Sequence, residues 1–293
     1  MARSIILPLV LLAALNAAGC TNLGAVRDFA ATSAELTDYK VVTNRYVTSA
    51  ERQLAEIPPS SAFNGTRQAL EAFQATTNAD KASLMKLHAV TTGYMTALAG
   101  LASEDAYTLS PEIDLVTGAI AKSERLNING DHVKAYGNIV KRVASWATAA
   151  KQARDVRRMV ETYGSDMDKL LEAMQVATAA YGVAFRDEAN NTAGFDRARA
   201  AAWQFKLPGD SEVTPERREV VATLLRRSTT AERAAQADAI RRQEEAAAGL
   251  AKVREEHAEL IKNIDRLKAK DVQELLRQAA SDLKAVRKNL AQL

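Results

Sequence analysis

From Leu250 the apolar positions advance in alternate steps of three and four, through Val253, His257, Leu260, Ile264 and Leu267, which is the spacing of a coiled-coil seam. A strand, whose faces alternate every second residue, cannot carry that pattern, so the last third of the chain is committed to helix. The seam slips across Lys268-Ala269-Lys270-Asp271 and resumes as Val272, Leu276, Ala279, Leu283, Val286 and Leu290. Such a slip is either a stutter in one kinked rod or the turn of a helical hairpin, and Asp271 with Glu274 offers a cap for a second helix. Thr214-Pro215-Glu216 supplies the start signal, with proline in the first turn and an acid beside it.

The rest of the chain obeys the same period. Val26, Phe29, Ser33 and Leu36, then Val47, Ala50, Leu54 and Ile57, predict one helix of about 30 residues, or roughly 45 Å, closed by Pro58-Pro59. A shorter helix is expected around Ala69, Leu70 and Phe73, and Asp80 opens another through Leu84, Leu87, Tyr94, Leu98 and Leu101. Ser110-Pro111-Glu112 starts a helix over Ile113, Val116, Ile120 and Leu126, which the turn Asn127-Ile128-Asn129-Gly130 ends. Asp131 is placed to cap the next, reaching Tyr163, with Gly164 as its C-cap. Ser165 with Asp168 resembles a capping box for a helix through Leu171, Met174, Ala177, Tyr181 and Phe185, which Asn190 to Gly194 bends or interrupts before Leu207-Pro208-Gly209 stops it. With only 13 glycines and 6 prolines in 293 residues, and no sustained period-two alternation, the expectation is an all-α fold. Long helices joined by short turns imply an elongated antiparallel helical bundle, residues 25–213, with long coiled-coil-like C-terminal helices, residues 214–293, packed on it as one domain.

The first residues follow other rules. Met1-Ala2-Arg3 is a short positive start, and Ile5 to Leu15 is an aliphatic block broken only by Pro8. It is too short to span a bilayer core, which needs about 20 residues, so it reads as a secretion signal, residues 1–19. Ala17-Ala18-Gly19-Cys20 then resembles the lipobox of bacterial lipoproteins, although Ala17 stands where that family usually has Leu, Val or Ile. The resemblance implies that the chain is cut before Cys20, that the Cys20 thiol receives a diacylglycerol, and that the new amino group is acylated with a chain such as palmitate. Three acyl chains would make the anchor effectively permanent, since each buried methylene contributes about 0.8 kcal/mol. Residues 20–24 would form the lipidated start and a short tether. Thr21 and Asn22 leave no aspartate of the kind that keeps such proteins in the inner membrane of enteric bacteria, so the analogy implies the outer membrane, with the body facing the periplasm. Cys20 is the only cysteine, so the mature chain holds no internal disulfide and no thiolate metal or iron–sulfur site.

The chain carries few residues in patterns that would support chemistry. His88, His132 and His257 stand on separate expected helices without a carboxylate or histidine at metal-ligand spacing. No GxSxG elbow and no glycine-rich phosphate loop occur, so the chain is read as a non-enzyme with no cofactor and no metal. A net charge of +3 makes no case for nucleic acid. The pairs Arg157-Arg158, Arg217-Arg218, Arg226-Arg227 and Arg241-Arg242 read as solvated stems among glutamates, against the alternative of contacts to lipopolysaccharide, peptidoglycan or an acidic partner. Trp146 and Trp203 read as core or hinge packing. The uncharged run Ala89 to Ala102 reads as a buried bundle helix, and its alternative is an insertion element resembling those of elongated helical pore-forming toxins. The function expected is therefore binding or scaffolding in the cell envelope. Its partners are the bilayer, through acylated Cys20, and an envelope protein or peptidoglycan; self-association would run through the Leu250 to Leu290 seam.

Overall fold

The computed structural model describes residues 23–37, 39–103, 118–146, 153–204 and 215–292. They form an all-α bundle of α1 (Gly24–Thr37), α2 (Lys40–Val47), α3 (Ser49–Glu56), α4 (Asn64–Leu101), α5 (Gly130–Trp146), α6 (Ala153–Gln204), α7 (Pro215–Lys262) and α8 (Lys270–Gln292). Among the described residues the only strand-like pairing is an isolated bridge between Ser123 and Ile128.

The single helix expected over Val26 to Ile57 is instead three helices, broken at Tyr39 and Thr48. Threonines compete for the backbone at both breaks: the Thr37 hydroxyl donates to the Ala34 carbonyl, and that of Thr48 to Asn44. The periodicity has a gap between Leu36 and Val47, so nothing there required one continuous helix. The break at Tyr39 brings its ring into the core, edge-on to His88 at 4.5 Å. Conversely, the two helices expected between Ser61 and Leu101 are one. Thr77 donates to the Val47 carbonyl at 3.2 Å and Asp80 accepts from the Ser123 hydroxyl at 3.0 Å, so the polar residues that suggested an interruption are satisfied by tertiary partners.

The helix expected to continue over Ile120 and Leu126 is replaced by an irregular turn. Gly118 sits at φ 94° and Asn127 at φ 50°, while Ser123 and Ile128 exchange backbone hydrogen bonds. Its first part, from Ser110, lies outside the described residues. Asn129 caps α5, accepting from the amides of Asp131 and His132, in place of Asp131. Gly164 does not end a helix, because α6 runs through it; a Cβ there would stand 2.9 Å from Ile261. Asp168 is no cap either, and instead accepts both hydrogen bonds of a fork from Arg254, at 2.8 and 3.0 Å. Asn190 to Gly194 leaves α6 unbroken, since the Asn191 amide donates to Gln53 at 2.8 Å.

Between α7 and α8 the chain turns through Ile264–Arg266 and folds back, placing Gly249 against Val286 and leaving Asp271 in the first turn of α8, paired with Arg266. The slip in the seam is thus a hairpin turn. Leu250, Val253, Leu260, Val272, Leu276, Ala279 and Leu283 are all buried inside this one chain, against α1, α4 and α6. The seam expected to meet a second copy is therefore spent intramolecularly.

Pairings along α6 set the long axis. Gly164 lies beside Ile261, Asp168 beside Arg254, Thr178 beside Gln243, Glu188 beside Arg52, and Arg199 beside Glu56. Gly164 to Arg199 is 35 residues of unbroken helix, about 50 Å at 1.5 Å per residue. Leu36, at the end of α1, packs on Gly249, itself beside Val286, and α1 lies along α4 and α8. Most of α8 precedes Val286, so α1 must run back along it, which puts Gly24 at the end of the bundle that carries the α7–α8 turn.

Candidate functional site

Cys20 and the aliphatic block before it lie outside the described residues, as do the side chains of Trp146, Trp203, Arg217 and Arg218. The described residues begin at Leu23, which is buried, with α1 starting at the next residue.

The three histidines are not brought together. His88 is buried between α1, α2 and α6: Nδ1 lies 2.8 Å from the Thr37 carbonyl, which can only accept, so Nδ1 carries a proton, and Nε2 meets the Thr43 hydroxyl at 2.7 Å. His132 Nδ1 accepts from the Asn129 amide, and partial burial lowers its pKa. His257 is fully buried beside the Tyr94 hydroxyl, 3.3 Å from Nε2; burial lowers its pKa to about 4, only partly opposed by the charge of Asp168. No group of three or more potential metal ligands occurs among the described residues.

Other buried polar groups are structural. Glu188, 3% exposed, accepts a fork from Arg52 at 2.7 and 2.8 Å, a bond from Ser49 at 2.6 Å and one from Arg45 at 3.3 Å. The Tyr39 hydroxyl meets Thr178 at 2.6 Å, and Gln243 donates to the Thr178 carbonyl. Ala89 to Ala102 lies mostly in the core, with Val90, Tyr94, Met95 and Leu98 fully buried, and no described helix is long and apolar enough to cross a membrane. Most of the described arginine pairs have carboxylate partners: Arg157 binds Glu161 and Asp265, Arg226 binds Glu219, and Arg241 and Arg242 share Asp238.

Two concavities stand out among the described residues. At the far end, where α6 finishes and α7 begins, a groove of about 610 Å³ is floored by Ala200, Val221, Ala222 and Leu225 and edged by Arg197, Arg199, Arg226 and Arg233. Among the described residues, Asp196 is the one carboxylate lining it. Here α7 leaves the core: none of its side chains described before Gln236 is buried, and Val220 and Leu224 are 58% and 59% exposed. Exposed aliphatics beside a cationic rim are uncommon on a surface with no partner.

The second concavity, about 390 Å³, opens between α2, α4 and α6, beneath the turn that carries Arg125. Its apolar wall is Leu70, Phe73, Ala180 and Ala184, and Gln53 and Asn191 stand at one side. Tyr46 stacks on Tyr181 at 4.4 Å and turns an edge to Phe73, whose other contact is the Arg125 guanidinium, 4.5 Å over the ring. None of these residues stands out in the sequence, because the cleft draws on segments far apart in the chain. No protein-family model, no curated protein and no solved structure matches this chain.

Proposed function

We propose that the chain is a lipid-anchored scaffold of the bacterial cell envelope, which holds a helical bundle against the outer membrane and presents its far end to a partner in the periplasm. The observation that carries this reading is the separation of two chemistries. The lipobox-like Ala17-Ala18-Gly19-Cys20 directly precedes the buried start of α1 at one end. The arginine-edged groove lies at the other, about 50 Å away. Confinement to a surface raises the effective concentration of that far end near any partner in the same layer, with no new contact. The groove suits an acidic surface with an apolar ridge, on an envelope protein or on peptidoglycan, whose carboxylates arginine forks recognise.

The test is mass spectrometry of the mature chain from cells, combined with a photo-crosslinking residue at Leu224 and, as control, at the exposed Val41. An acylated chain beginning at Cys20, a soluble Cys20→Ala variant, and crosslinks from position 224 alone are expected. A mature chain without lipid, or crosslinks that do not distinguish 224 from 41, would overturn the proposal.

A further inference from the structure

We propose that the far groove seats an acidic amphipathic helix of a partner protein, which lies along α7 and continues its seam. The inference rests on the scaffold reading and deepens it, because it names the partner of the same groove as a helix in place of peptidoglycan.

The seam of α7 extends beyond the core that covers it. Read backwards from Leu250, steps of four and three give Ala246, Gln243, Ala239 and Gln236, all buried. The same steps continue to Glu232, Thr229, Leu225 and Ala222, none of which is buried. Ala222, Leu225 and Thr229 line the groove. Alternate steps of three and four are the geometry by which one helix receives another, knob into hole, so the occupant that matches the exposed seam is a helix. The groove follows α7 from Val221 to Arg233, three turns of helix and about 18 Å at 1.5 Å per residue. Ala200 and Ala222 in its floor keep that surface low enough for a second helix axis to come close. Val220 and Leu224, one turn apart beside the seam, widen the apolar stripe.

Charge selects the kind of helix. Arg197 and Arg199 bring cations from α6, and Arg226 and Arg233 from α7. Arg199 is held by Asp196 and Glu56, and Arg226 meets Glu219 at 3.4 Å in an exposed pair. Arg197 and Arg233 form no ion pair among the described residues. Glu232, on the seam, accepts from the Ser228 hydroxyl. A second copy of the chain would bring the same arginines to this groove and be opposed by like charge, whereas glutamates flanking an apolar stripe answer the arginines of both helices.

Fluorescence anisotropy of a labelled peptide, three repeats of Glu-Ile-Ala-Ala-Leu-Glu-Glu, titrated with the full chain tests the assignment. Comparators are the same peptide with lysine for glutamate and polyglutamate of equal length. Saturable binding of one acidic peptide per chain is expected, weakened by salt and at least about tenfold tighter than either comparator. Arg197→Glu combined with Arg233→Glu should weaken it about tenfold or more, and Leu225→Asp should abolish it, each without loss of helicity because none of the three side chains is buried. Arg158→Glu, exposed near the other end of α6, should leave binding unchanged. Absence of saturable binding, equal affinity for the lysine peptide or for polyglutamate, or binding unchanged in the Leu225 or double arginine variant would each overturn the proposal. Self-association of the natural chain lost in Leu225→Asp would overturn it in favour of a second copy. Each of these results leaves the crosslinks from position 224 in cells as a separate test, so the scaffold reading stands or falls independently.

Discussion

His257 occupies a seam position where leucine would continue the repeat, and it makes the bundle sensitive to acid. Its imidazole is fully buried, faces the Tyr94 hydroxyl at 3.3 Å through Nε2, and has no partner at Nδ1. Asp168, the one nearby charge that opposes the shift, is already held by Arg254. Burial takes the pKa from 6.5 to about 4. The sign follows from which state takes up the proton. Above pH 6.5 both states are neutral and the group contributes nothing. As pH falls below 6.5 the unfolded chain binds a proton that the native chain refuses, so the native state loses ground until the folded pKa is reached. With those two values the loss is roughly 2 kcal/mol between pH 7 and pH 5, and about 3 kcal/mol by pH 4.

His257→Leu isolates that contribution. Leucine fills the seam and removes an unpaired buried nitrogen, so at pH 7 the variant should equal or exceed the natural chain in stability. Urea unfolding followed by circular dichroism at pH 7, 6 and 5 gives the comparison, and His132 and the carboxylates, present in both chains, cancel in the difference. The variant should lose about 2 kcal/mol less than the natural chain between pH 7 and 5. Equal losses would refute the reasoning, since they would mean either that the native imidazole is protonated or that the cavity admits water.

Three further perturbations address the rest of the packing. Glu188→Gln removes the charge that Arg45, Arg52 and Ser49 surround; because both arginines are partly exposed, the expected cost is about 2 kcal/mol, below that of a fully buried pair, read as a lowered midpoint of thermal unfolding. Gly182→Ala would drive a Cβ to within 2.6 Å of Gln243 Oε1 and displace the bond to Thr178, costing about 1–3 kcal/mol, which Gln243→Ala in the same chain should largely relieve; a double variant as unstable as the single would show the clash is elsewhere. Gly164→Ala meets Ile261 at 2.9 Å, so the gain of about 1 kcal/mol in helix propensity should be outweighed until Ile261→Val makes room, measured by the same unfolding curves.

The class of fold was legible because helix period is a local property: Leu250, Val253, Leu260, Leu276 and Leu283 take the inward face that the spacing assigned them. The breaks were not legible, because what ends or spares a helix here is a tertiary contact. Gly164 resembles a C-cap by composition, yet it is small because Ile261 lies against it. Asp168 resembles half of a capping box, yet its carboxylate answers Arg254, 86 positions away. Tyr39 breaks the first helix to reach Thr178 and His88, a choice only the assembled core can reward.

The same distinction explains which candidate sites the sequence suggested. A motif that resembles a lipobox, such as Ala17-Ala18-Gly19-Cys20, is contiguous in the chain, so the resemblance can be drawn without a structure. The cleft beside Tyr46 is assembled from rings on three helices, Tyr46, Phe73 and Tyr181, and from a cation on a turn about 80 positions downstream. The far groove lies between. Its arginines were visible as pairs scattered among glutamates, and that pattern correctly described Arg157 and Arg242, whose carboxylates sit within a turn or across the bundle. What the sequence could not register is that α6 and α7 run on together past the last buried layer, so that Arg197, Arg226 and Arg233 edge exposed aliphatic surface in place of core. Charge beside exposed leucine and valine is the feature that separates a recognition surface from a solvated helix face, and it arises only from where the bundle stops.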